Sequence, residues 1–198
     1  MPMDSFGLLI PAILLAYLLG SVSCAILVCN LFRLPDPRLQ GSLNPGATNV
    51  YRLGGARPAV LTLLGDSLKG VLAVTVARML DLSTTGQGLV AIAAILGHMF
   101  PIFFKLQGGK GVATCLGAGL VLAWPTTLAL IGLWALVMIP FRIASLASLS
   151  ACLAATPVAL YLNPEHWRAF LVVSVLILLR HHRNILALMR GQEPRTGR

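Results

Sequence analysis

The 198-residue chain is 57% hydrophobic and 11% charged, with a mean hydropathy of +0.86. Soluble domains carry about twice that charged fraction, which excludes a water-soluble globular protein. In so apolar a chain the net charge of +9 belongs to the positive-inside bias of a membrane protein and not to a nucleic-acid partner.

Apolar runs at about residues 5–32, 58–80, 86–104, 111–123, 125–140, 145–162 and 166–182 predict an all-α polytopic protein. The expectation is seven transmembrane helices in one membrane-integral domain covering residues 1–198. Only Asp4 precedes the first run and no basic segment does, so that run is expected to stay as a helix and not to be cleaved as a signal. The fourth and fifth runs are short and divided by Pro125, so one long kinked helix is the alternative count. Arginine and lysine favour seven. With the N-terminus outside, Arg33, Arg38, Arg52, Arg57, Lys105, Lys110, Arg142, Arg180, Arg183, Arg190, Arg195 and Arg198 fall inside. Only Arg78 and Arg168 fall outside, together with Asp4, Asp81 and Glu165.

Between the runs lie polar, glycine-rich stretches. The first, GSLNPGATNVYRLGG, spans Gly41 to Gly55; the second, GHMFPIFFKLQGGKGVAT, spans Gly97 to Thr114. FRIASLAS follows at Phe141–Ser148, and RHHRNI at Arg180–Ile185 leads into the tail. All four fall on the inner side, which predicts one composite site at the cytoplasmic interface.

Their chemistry suits anions. Glycine lets backbone N–H groups converge, and such nests hold phosphate where a helix begins. Gly108-Gly109-Lys110-Gly111 stands immediately before an apolar run. It is not a Walker A loop, because Phe104 occupies the place of the first glycine. The plain reading is a flexible turn with a snorkelling lysine. Arg52 adds a fork matched to phosphate oxygens, or serves topology alone. Asn44, Thr48 and Asn49 either contact a ligand or knit their loop to itself, and Pro45-Gly46 fits a turn centre. His181 and Asn184 share a face if the helix continues through them. Asp66 and Lys69, three apart within the second run, are expected to form a structural ion pair near the inner boundary. Cys24, Cys29, Cys115 and Cys152 lie in apolar runs with no metal-ligand spacing, so inert thiols are expected and no metal site.

In that order, GSLNPGATNVYRLGG, GHMFPIFFKLQGGKGVAT and RHHRNI closely resemble the bacterial acyl-phosphate:glycerol-3-phosphate acyltransferase family of the inner membrane. The resemblance covers nearly the whole chain. It implies a seven-helix fold and acyl transfer from acyl phosphate to sn-glycerol-3-phosphate. The products are lysophosphatidic acid and phosphate, at the first step of phospholipid synthesis. No cofactor is implied, nor acyl-CoA or acyl carrier protein as donor. Partners are the two substrates and membrane lipids, with functional coupling to an enzyme that produces acyl phosphate.

Carried over by position, the resemblance implies substrate and phosphate binding by Ser42, Asn44, Gly46, Thr48, Asn49, Arg52, His98, Gly108, Gly109, Lys110 and Gly111. It implies catalytic roles for Ser145, His181 and Asn184. The family usually reads GSGN where Leu43 stands here, and KGGKG where Gln107 stands. His181 as general base and a substrate phosphate as base remain two open routes. The H-x4-D dyad of acyltransferases with soluble donors is missing: Phe103, Leu171, Leu186 and Ala187 stand in its fifth position. A small transporter for an organic phosphate is the rival reading. It calls for polar residues in successive spans and on both faces, whereas the polar clusters here lie on one side.

Overall fold

The computed structural model describes residues 6–196, all of whose regular elements are helical. Asp4, Arg198 and the expected start of the first run at residue 5 lie outside the described residues. The chain divides into two compact units that meet in sequence at Leu122 and Ala123.

The first unit holds α1 (Phe6–Gly20), α2 (Cys24–Leu31), α3 (Ala47–Gly54), α4 (Ala56–Met79), α5 (Thr84–Met99), a 3-10 turn (Ile102–Phe104) and α6 (Val112–Leu122). The first apolar run is broken where a single helix was expected. Ser21 takes the Tyr17 carbonyl with both its N–H, at 2.9 Å, and its Oγ, at 2.8 Å. A serine that bonds back in this way competes with helix continuation. Ser23 is then extended, at φ −88° and ψ 98°, before α2 begins.

Along α4 the usual amphipathic pattern is inverted. Leu61, Leu64, Leu68 and Leu72 are exposed, while Thr62, Asp66, Lys69 and Ala73 are buried. Those spacings put leucines on one face and polar groups on the other, the arrangement expected where lipid replaces water outside. Helices approach closely through small residues. A Cβ on Gly117 of α6 would lie 1.9 Å from the Ser67 carbonyl oxygen of α4, so only glycine fits that crossing.

The second unit holds α7 (Trp124–Phe141), α8 (Ala144–Leu162), a 3-10 turn (Pro164–His166), α9 (Trp167–Arg180) and α10 (His182–Met189). Pro125 lies in the first turn of α7, where its missing N–H costs nothing. The fourth and fifth runs are thus separate helices. Asn163 Oδ1 accepts from Thr126 Oγ1 at 2.9 Å, fastening the end of α8 to the start of α7. Ala123, Ala155, Ala159 and Phe170 form the apolar centre.

Each of the seven apolar runs is helical, yet length supports a smaller number of full crossings. Five helical segments among the described residues are long and apolar enough to span a membrane, or six if the bent pair ending in α10 counts as one. The shortfall lies at α6, whose 11 residues reach only about 16 Å against a hydrocarbon core of about 30 Å.

Candidate functional site

Each unit gathers its own set of the residues singled out in the sequence. In the first unit, α3 starts at Ala47 after an extended Gly46 and carries Thr48, Asn49 and Arg52. Asn49 is fully buried. Its Nδ2 donates to the carbonyls of Pro37 and Gln40, both at 2.9 Å, and its Oδ1 accepts from the Ser42 N–H at 2.8 Å. Its amide thus bonds the loop backbone on both sides, the loop-knitting alternative of the sequence, and it shapes the segment that carries Ser42 and Asn44. Ser42 is exposed, while Asn44, Gly46, Thr48 and Arg52 are half-buried.

The second glycine loop folds against the first. The Gly109 N–H donates to the His98 carbonyl at 3.1 Å. A Cβ on Gly109 would stand 2.2 Å from His98 Nε2 and 2.8 Å from the Pro45 carbonyl oxygen. Absence of a side chain at position 109 is what lets the Pro45 turn, the GGKG loop and the His98 ring converge. Gly108 and Gly111 are buried beside them, and Lys110 is half-buried between. Gly111 has φ +86° at the entry to α6, a region suited to glycine.

Beneath this loop pair lies a charged cluster whose link to His98 the sequence did not reveal. Lys69 Nζ is 2.9 Å from Asp66 Oδ1, as the three-residue spacing predicted. His98 Nδ1 stands 3.5 Å from the same carboxylate oxygen, so the pair extends into the site. Lys69 also donates to the Val22 carbonyl at 2.8 Å. That carbonyl lies in the break between α1 and α2. The interrupted helix, the buried lysine and the histidine under the glycine loop are thus one network. Charges at such burial are tolerated because each has a partner.

In the second unit, Ser145 lies in the first turn of α8 and Asn184 in the first turn of α10. Ser145 Oγ donates to Glu193 Oε1 at 2.6 Å, and Asn184 Nδ2 donates to the same oxygen at 2.5 Å. Glu193 went unnoticed in the sequence because it stands alone in the tail, outside every glycine-rich stretch. Its segment is tied down by the Thr196 N–H donating to the Arg142 carbonyl at 2.6 Å.

His181 is 2% exposed, whereas His182 is exposed, so only the first faces inward. The reason differs from the expected one. The helix does not continue through His181: the pair of segments bends by 62° there, and a common helix face cannot relate His181 to Asn184. His181 Nδ1 lies 2.8 Å from the Ile177 carbonyl oxygen. A carbonyl only accepts, so Nδ1 carries a proton, and in the neutral form of the ring the lone pair belongs to Nε2.

The chain is similar to known proteins over most of its length. Residues 10–191 match the family model described as glycerol-3-phosphate acyltransferase. A glycerol-3-phosphate acyltransferase of Hahella chejuensis is 58% identical over 93% of this chain and 95% of its own. One from Vibrio cholerae is 48% identical over 93% and 89%, respectively. Among solved structures, PlsY (YgiH), an integral membrane glycerol 3-phosphate acyltransferase in its glycerol 3-phosphate form, superposes with a TM-score of 0.89 at 34% identity. That likeness covers 96% of each chain. The same protein in its lysophosphatidic acid form gives a TM-score of 0.85 at 32% identity over 94% of each chain. Matched by the family model over residues 10–191 and by relatives and solved structures over nearly its whole length, this chain is a multi-helix membrane enzyme and belongs to the glycerol-3-phosphate acyltransferase family.

Proposed function

We propose that the chain transfers a fatty acyl group from acyl phosphate to sn-glycerol-3-phosphate, releasing inorganic phosphate and lysophosphatidic acid. The observation that carries this reading is the joining of the Pro45 turn, the GGKG loop and His98 around a position without a side chain. Backbone amides and the nearby cation Lys110 suit a phosphate-bearing substrate. The glycerol 3-phosphate and lysophosphatidic acid forms of the neighbouring structure support the same substrate and product here.

The mixed anhydride of acyl phosphate is already activated, so catalysis needs positioning and charge stabilisation more than a cofactor. The glycerol hydroxyl oxygen forms the new ester bond at the acyl carbon. The carbon–oxygen bond to phosphate breaks, and its electron pair leaves on inorganic phosphate. His181 Nε2 takes the hydroxyl proton, a role supported by the proton held on Nδ1. Ser42, Asn44, Thr48, Arg52 and Lys110 hold the phosphates; Ser145 and Asn184 orient the acceptor.

This reaction starts phospholipid synthesis in the bacterial inner membrane. The N-terminus lies outside, and the C-terminus and polar loops are cytoplasmic. Purified protein supplied with palmitoyl phosphate and labelled glycerol-3-phosphate is expected to form labelled lysophosphatidic acid, and a parallel reaction with palmitoyl-CoA is expected to form none. Product from the thioester alone would overturn the donor. For orientation, with the native cysteines replaced, a cysteine at Ser83 is expected to label from outside in intact spheroplasts and one at Arg195 is not. Labelling at both would reverse the placement of the tail.

A further inference from the structure

Asp66 lies within α4, 1% exposed, and no step of the reaction above uses it. Its Oδ1 faces two partners, Lys69 Nζ at 2.9 Å on the same helix and His98 Nδ1 at 3.5 Å on α5. Lys69 and His98 are buried as well, so all three groups are shut off from water. A buried ion pair adds little stability over apolar side chains of similar volume. Neutralising Lys69 therefore leaves unexplained why the shared oxygen is also turned toward a histidine. The far end of that ring supplies a reason. A Cβ on Gly109 would collide with His98 Nε2, and one on Gly108 would collide with the His98 carbonyl oxygen. That carbonyl accepts from the Gly109 N–H at 3.1 Å. Ring and backbone of one residue thus form the floor under the GGKG loop.

We infer that Asp66 is a positioning residue that holds the His98 ring, from its Nδ1 side, in the orientation on which the GGKG loop rests. The inference rests on the acyl-transfer reading above, in which that loop holds phosphate. The outer torsion of a histidine side chain has two broad wells, which exchange a ring nitrogen for a ring carbon at each edge. A carboxylate only accepts, so beside the ring it selects the well that brings a protonated nitrogen toward it. Nε2 is then the edge set against Gly109. Lys69 holds the carboxylate in turn, because its Nζ also donates to the Val22 carbonyl at 2.8 Å. The pair read from the sequence as structural is in this way the anchor of a loop that contacts substrate.

The test compares two double variants of the full chain, Asp66→Leu with Lys69→Met and Asp66→Asn with Lys69→Met, by melting and by steady-state kinetics with each substrate varied in turn. Both remove the ion pair without leaving a buried charge alone, so both are expected to melt close to wild type. They differ in the oxygen at position 66 that faces His98. The leucine variant is expected to lose about tenfold in kcat/KM, as a higher KM for one or both phosphate-bearing substrates with kcat within about threefold. The asparagine variant keeps an acceptor for Nδ1 and is expected to recover most of that loss. Adding His98→Leu to the leucine variant is expected to cost less than about a further twofold, because position 66 acts through that ring. Equal activity of the two double variants would overturn the inference, since a merely structural pair would not distinguish them. A loss confined to kcat, or a full further loss on adding His98→Leu, would overturn it too. If the leucine variant fails to insert, Asp66→Ala with Lys69→Met takes its place under the same outcomes. Wild-type protein inactive with acyl phosphate would defeat the acyl-transfer reading instead.

Discussion

The two units hold their polar residues in opposite ways. In the first, side chains are fixed from within: Asn49 is fully buried and spends its amide on backbone, and Asp66, Lys69 and His98 interlock beneath the glycine loop. In the second, Ser145 and Asn184 are held by a carboxylate on the tail that follows the last helix. The first set is shaped by the fold before any substrate arrives. The second set, Ser145 and Asn184, meets at one acceptor on the tail. Anion binding calls for the first kind of construction, because converging amides lose their advantage when they must reorganise.

The sharpest break in that comparison comes at His181. If it takes the proton, His181→Ala should lower kcat/KM by about a hundredfold or more, while exposed His182→Ala stays within a few fold. His181→Gln should remain inactive, and the wild-type profile should fall on the acid side as the imidazole becomes protonated. Full recovery in His181→Gln would leave histidine only a positioning task. Equal sensitivity of both histidines would contradict the burial difference.

Next in size are the cations of the first unit. Arg52→Ala and Lys110→Ala should each lose at least about tenfold in kcat/KM while the protein stays inserted and folded. Near wild-type kinetics in both would remove the phosphate site from these loops. Gly109→Ala should follow, with loss of activity and a destabilisation of about 1–3 kcal/mol, because its Cβ has to displace the His98 ring or the Pro45 backbone. A variant with unchanged melting temperature and activity would show that the first unit adapts as readily as the second.

The smallest effect concerns Leu43. It sits at φ 57°, in the left-handed region, and its side chain is exposed. A non-glycine residue there carries roughly 1–2 kcal/mol of strain, and glycine gives back about 0.5–1 kcal/mol through its unfolded-state freedom. Leu43→Gly should therefore stabilise the protein by no more than about 1.5 kcal/mol and leave activity intact. Marked destabilisation would mean that Leu43 packs against something the loop needs.

Much of this was legible in the sequence because hydropathy and motif spacing are local. The apolar runs all became helices, and the Asp66–Lys69 spacing gave the ion pair at 2.9 Å. What was not legible depends on meetings between distant segments. The break at Ser21–Ser23 finds its use only when Lys69 takes the Val22 carbonyl, 47 residues away. The link from Asp66 to His98 crosses from α4 to α5. Glu193 bonds Ser145 from 48 residues away, and no periodicity marks an isolated acid in a polar tail. The bend at His181 was missed for a different reason: nothing in RHHRNI breaks a helix, and the 62° turn belongs to the packed state.

Phosphorus NMR of one reaction tests acyl transfer from an acyl phosphate by this chain most directly. With purified protein, palmitoyl phosphate and glycerol-3-phosphate, the acyl phosphate signal should disappear as inorganic phosphate and lysophosphatidic acid grow in equal amounts. Inorganic phosphate released without lysophosphatidic acid, or lysophosphatidic acid forming only after a thioester donor is added, would contradict it.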